Sequence, residues 1–148
     1  MKQLIIIVSV AVLTAITVAG CKTTAKSTSS QDVPFTIADH YFVRNDVKTL
    51  PQGIITTQEE FQRNFGEATV MGGLPTKIDF SKEFVIATCV PETDYNTEIS
   101  PVALKMKGKN LLFTYRVNKG KKIGYSIQPM LLIVVDKEFE APLKMEQR

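Results

Sequence analysis

VALKMKGKNLLFTYRVNKGKKIGYSIQ, residues 102–128, is the stretch whose reading decides the fold. Val102, Leu104 and Met106 alternate with Ala103, Lys105 and Lys107. Gly108-Lys109-Asn110 interrupts the pattern as a turn. Leu111, Phe113, Tyr115 and Val117 then alternate with Leu112, Thr114 and Arg116. Asn118-Lys119-Gly120-Lys121 reads as a second turn. A third run follows, with Ile123, Tyr125 and Ile127 set against Gly124, Ser126 and Gln128. Successive side chains of a strand point to opposite faces, so three period-2 runs joined by short turns predict an antiparallel meander.

Outward from the meander, Pro129 cannot donate to a ladder and marks a bulge or short link. Met130-Leu131-Leu132-Ile133-Val134-Val135 is apolar on both alternate sets, as is Phe84-Val85-Ile86-Ala87-Thr88-Cys89-Val90. Both are expected to be strands covered on two sides. Between the second of these and the meander, residues 91–98 (PETDYNTE) read as a polar loop around Tyr95. Further upstream, Thr57 and Glu60 form a capping box, with Thr56 and Glu59 as a competing register. Phe61 and Phe65 share one helix face, and Gly66 stands where a C′ glycine belongs. That predicts a helix of roughly nine or ten residues, stable only if its phenylalanines dock on a sheet. Residues 35–43 are rich in aromatic and β-branched side chains and predict a strand. Residues 141–148 are expected to fray. The expected fold class is α+β: a mostly antiparallel, curved β-sheet, barrel-like or a small sandwich, with one short helix.

The start of the chain reads differently. Lys2 precedes an apolar run, residues 4–18, broken only by Ser9, Thr14 and Thr17. A small-residue exit, Val18-Ala19-Gly20-Cys21, completes a secretory signal, and the run is shorter than the roughly 20 residues of a membrane span. Val18-Ala19-Gly20-Cys21 resembles a bacterial lipobox. The resemblance implies that Cys21 receives a diacylglycerol, that cleavage follows Gly20, and that the new amine is acylated. The membrane would then be a partner through lipid on Cys21, since several acyl chains hold where one is marginal. Residues 22–32 (KTTAKSTSSQD) lack large apolar side chains and read as a tether. The expected organisation is a signal over 1–20, lipidated Cys21 and tether over 21–33, a domain over 34–140, and a frayed end. Surface-exported lipoproteins of Bacteroides-type bacteria carry an acidic signal after the cysteine. Its absence here implies an outer-membrane protein facing the periplasm.

Composition bounds the chemistry. The 148-residue chain carries a net charge of +3. Losing Lys2 leaves about +2, too little to argue for nucleic acid. Lys119-Gly120-Lys121-Lys122 is the densest basic cluster and reads as a solvated hairpin turn. With Cys21 on lipid, Cys89 stands alone in an apolar run, where a thiol behaves as a small hydrophobe. His40 is the single histidine. It reads as a half-buried packing residue of a strand rather than a metal ligand or the base of a serine triad. Gly124-Tyr125-Ser126-Ile127-Gln128 departs from a nucleophile elbow at its last position. Glu92, Asp94 and Glu98 read as solvated carboxylates rather than an acid/base pair. No catalytic residue, metal site or cofactor is therefore expected. Tyr95 could be a binding anchor or could tuck back on the core.

From Thr57 to about Lys137 the layout resembles small lipoproteins of Bacteroides-type bacteria and the C-terminal domain of PrcB-like protease-complex subunits. The matching residues are Phe84-Val85-Ile86-Ala87, Pro91-Glu92-Thr93 and Ile99, with the strands from Leu111 to Val117 and Met130 to Val135. That family has a Thr-Gly-Gly-Tyr turn where this chain reads Thr93-Asp94-Tyr95-Asn96; Thr93 matches and the glycines do not. The resemblance implies a non-enzymatic module that binds or stabilises an exported protein partner. Thr93, Asp94, Tyr95 and Asn96 are the expected contact residues. The alternatives are a structural envelope lipoprotein without a discrete partner, and a hydrolase.

Overall fold

The computed structural model describes residues 30–69 and 73–148. The signal segment, Cys21 and the tether as far as residue 29 lie outside the described residues. In chain order the elements are β1 (Ser30–Asp32), β2 (Thr36–Ile37), β3 (Tyr41–Val43), β4 (Gly53–Ile55), α1 (Gln58–Asn64), β5 (Phe65–Glu67), β6 (Glu83–Cys89), β7 (Thr93–Lys107), β8 (Asn110–Ile127), β9 (Met130–Asp136) and β10 (Leu143–Gln147). One sheet has the order β1-β7-β8-β10, a second β2-β9-β6-β4, and β3-β5 forms a small two-stranded sheet.

The two doubly apolar runs explain the layering. Alternation sends Phe84, Ile86, Ile133 and Val135 to one side of the second sheet, where they pack with Ile99, Leu104, Leu111 and Phe113 of the first. It sends Val85, Ala87, Cys89, Leu132 and Val134 to the other side, against Ile55, Phe61 and Phe65. The result is a sandwich whose inner sheet is covered again by α1 and β5. Both sheets are open, so the sandwich form of the expected α+β fold holds and the barrel does not. Each large apolar side chain buried this way contributes about 1.5–3 kcal/mol.

The helix starts where the capping box places it. Thr57 Oγ1 accepts the Glu60 N–H at 3.2 Å. Its end differs from expectation. Phe65 is already extended (φ −125°) and opens β5, so the helix has seven residues. Gly66 is therefore not a C′ cap. It lies opposite Phe42, whose ring occupies the space a Cβ would need. Phe61 gathers the helix-side aromatics, with ring centroids 5.0 Å from Tyr41, 5.1 Å from Phe65 and 5.6 Å from Phe80.

The meander is corrected in one essential respect. Asn118-Lys119-Gly120-Lys121 is not a turn but part of the 18-residue strand β8. Likewise, residues 93–98 are not a loop but the first part of β7. β6 pairs with β9 and β7 with β8, so one long two-stranded ribbon runs from the Glu83–Asp136 pair to the Lys107–Asn110 pair. Between Cys89 and Thr93 on one side, and Ile127 and Met130 on the other, this ribbon passes from the inner sheet to the outer one. Pro129 sits in that short link, and its carbonyl accepts the Val90 N–H at 3.1 Å. A register shift between Pro101 and Ala103 leaves Val102 exposed, off the apolar face it shares by parity with Leu104.

Three further expectations change. Ser30–Asp32 is strand β1 rather than tether, and Val33 behind it is buried. The C-terminal segment does not fray: β10 pairs in parallel with β8, Leu143 opposite Leu111 and Gln147 opposite Tyr115. The strand expected over 35–43 is split into β2 and β3 by a bend at His40, which has φ +64°. His40 is exposed there, not half-buried, and its ring lies where a Cβ on Gly73 would sit.

Candidate functional site

The four residues expected to contact a partner lie where the ribbon passes between sheets. From Thr93 to Glu98 β7 advances five residues, while β8 advances nine between Asn118 and Ile127. Three of the four surplus residues fall between Lys122 and Ile127, where Ile123, Gly124, Tyr125 and Ser126 face Asp94 alone, and the fourth falls between Lys119 and Lys122. An excess on one strand bends it outward and raises its local twist. Tyr125 is thereby 68% exposed, although its period-2 neighbours Ile123 and Ile127 are half-buried.

The expected anchor is partly occupied at home. Lys119 Nζ lies 3.7 Å from the centroid of the Tyr95 ring, a cation–π contact. Lys122 Nζ is 2.9 Å from the Asp94 carboxylate. Thr93 Oγ1 accepts the Tyr95 N–H at 3.3 Å, and Thr97 Oγ1 donates to the Tyr95 carbonyl at 3.1 Å. Tyr95 is half-buried, as are Thr93 and Asp94, while Asn96 is exposed. Opposite, Gly120 has no side chain to collide with the Asn96 carbonyl, which a Cβ would meet at 2.7 Å. The structure thus brings all four residues to one corner but makes Tyr95 a support of the ribbon. Tyr125, which sequence reasoning set on an apolar strand face, is the aromatic of the ribbon that is open to solvent. Its only signal was its place beside a basic cluster, which the hairpin reading absorbed.

Beside this corner runs a groove of about 690 Å³. Val43, Leu50, Ile127 and Met130 line it with Arg44, Glu92 and Gln128. Gln128, one of its lining residues, donates through Nε2 to the Val90 carbonyl, and Gln52 Nε2 donates to the Cys89 carbonyl. Arg44 Nε reaches Asp46 at 3.2 Å, and that bond, the largest influence, holds the Asp46 carboxyl below its ordinary range. The arrangement offers a lining of mixed polar and apolar side chains, the exposed Phe42 ring within it and Tyr125 projecting beside it, features compatible with a protein-docking surface.

A second groove, of about 420 Å³, lies beside α1 among Tyr41, Phe61, Phe65 and Phe80. Gln58, Gln62, Glu67 and Lys77 also line it, and Tyr41 Oη donates to the Thr76 carbonyl at 2.6 Å. Burial first, and then the Glu67 carboxylate, raise the Tyr41 phenol above its usual range. A third hollow passes His40 and Asp39 and has no serine in its lining. Glu92, Asp94 and Glu98 are spread along the ribbon, at the groove rim, on Lys122 and opposite Asn118. Among the described residues no group of three or more His, Cys, Asp or Glu side chains is placed to hold a metal ion. No described helix is long and apolar enough to cross a membrane. Comparison with family models, with curated proteins and with solved structures finds no match to this chain.

Proposed function

We propose that the protein is a membrane-anchored lipoprotein whose domain is a non-enzymatic binding or accessory module for an exported protein partner. Cys21 carries the lipid, and the ribbon corner makes the contact. Its site in the cell would be the outer membrane, facing the periplasm. One observation carries the contact: β8 is four residues longer than β7 across the corner, and the surplus holds Tyr125 out beside a groove of mixed polar and apolar lining. Tyrosine supplies contact area at low entropic cost, and a polar surround excludes water from such an anchor. A PrcB-like role, in which the module supports a protease complex, is the form the resemblance suggests.

The edges of the ribbon argue for capture by side chains rather than by an added strand. Pro101 removes a donor from β7, and Lys119, Lys121 and Lys122 charge the β8 edge; both devices blunt strand addition.

Crosslinking capture from membranes tests the reading. Tyr125→Ala should weaken recovery of a discrete partner by about 2 kcal/mol, roughly 30-fold, with the melting temperature unchanged. Tyr95→Ala should instead lower the melting temperature, because its ring supports Lys119. Equal capture by wild type and Tyr125→Ala would retire the corner. A membrane fraction that yields no discrete partner would favour the structural envelope role. Palmitate labelling that persists in Cys21→Ala would remove the anchor.

A further inference from the structure

We infer that the domain is tethered to the bilayer from the end that carries its β7–β8 turn, with the ribbon corner at the opposite end of the β7 path. The inference rests on the lipoprotein reading of Cys21. It follows from the register of β1, whose position in the fold no sequence pattern announced.

Ser30 pairs with Lys107 and Asp32 with Lys105, antiparallel to β7. The chain upstream of Ser30 therefore leaves the domain beside the Gly108-Lys109 turn. That exit is fastened. The Val33 N–H donates to the Leu104 carbonyl at 2.9 Å, and Val33 itself is buried in the core between the sheets. Lys105 Nζ lies 3.2 Å from Asp32 at the same joint.

Two lengths then set the geometry. Cys21 is nine residues before Ser30, and a chain spans at most about 3.3–3.6 Å per residue, so the exit lies within about 30 Å of the acylated residue. From Lys107 back to Thr93, β7 covers 14 residue steps, about 45 Å of strand path. Thr93 faces Ile127, so the corner with Tyr125 is at the other end of that path from the point of attachment.

Site-directed fluorescence tests this on the full-length, acylated protein purified from membranes and reconstituted into vesicles of phosphatidylethanolamine and phosphatidylglycerol. A fluorophore is attached to Lys109→Cys or to Tyr125→Cys, and a nitroxide on the lipid headgroups serves as quencher. Both positions are exposed, and Cys89 is buried away from the reagent. Quenching should be several-fold stronger at position 109 than at 125. Lys107→Cys and Lys121→Cys should repeat the contrast. Equal quenching at the two ends, or stronger quenching at 125, would overturn the inference while leaving the anchor intact. A purified chain whose mass shows no acyl group would overturn the anchor and the inference together.

Discussion

Thr88 and Cys89 are neighbours on β6 and face opposite sides of the inner sheet. Thr88 shares a side with Phe84 and Ile86, and among the described residues its buried hydroxyl has no hydrogen-bond partner. A buried hydroxyl without a partner keeps its desolvation cost, and valine has nearly the same shape. Thr88→Val should therefore raise stability by about 1 kcal/mol, read as a higher denaturant midpoint at unchanged slope. Cys89 lies in the helix-side core, and burial pushes its thiol up to about 12. An unfolded thiol titrates near about 8.5, so the fold favours the neutral form. The sign follows: this contribution is complete below the unfolded value and is lost as pH rises from there towards the folded one. The melting temperature of the wild type should fall between about pH 9 and pH 11 more steeply than that of Cys89→Ala. A thiol reagent at neutral pH should label Cys89 only after denaturant is added.

At the scale of elements, the ribbon is the unusual part. Its middle, residues 93–98 against 118–127, has no third strand beside it among the described residues, so cross-strand contacts must hold it. Those contacts are the Lys119–Tyr95 stack, the Lys122–Asp94 pair and the close approach of Gly120 to Asn96. The ion pair is exposed and contributes little. The close approach has no slack, because the atom facing Gly120 is backbone and cannot swing aside. Gly120→Ala should force the strands apart at a cost of about 1–3 kcal/mol, seen as faster hydrogen exchange across 95–98 and 118–122. Exchange in β6 and β9 should stay slow in that variant, since both strands are buried on two faces.

At the scale of the whole molecule, the C-terminal strand closes one side of the outer sheet. Leu143 and Met145 pack on the core between the sheets, and the Arg148 N–H donates to the Tyr115 carbonyl at 2.9 Å. Deleting residues 143–148 should lower stability by about 2–4 kcal/mol, measured by denaturant unfolding. A frayed tail would change it by no more than about 0.5 kcal/mol. The same deletion should leave capture at the corner intact, because β10 runs beside Leu111 to Tyr115 and stops short of the bulged part of β8.

By itself the sequence determined whatever burial writes into a local pattern. Doubly apolar β6 and β9 were legible because both of their faces are covered, and the start of α1 because Thr57 satisfies a helix donor within one turn. The α+β class followed from those runs and the alternation after them. Only the tertiary structure decided the rest. Lys119-Gly120-Lys121-Lys122 has the polarity of a turn, yet it is strand, because residues 118–122 are exposed along the ribbon and leave no apolar signature. β10 was hidden because a parallel pairing with a strand some 30 residues earlier is non-local, and Pro142 and Lys144 locally suggest an end. Tyr125 sits outward because the two strands differ in length across the corner, and register is a property of a pair of strands, not of either one.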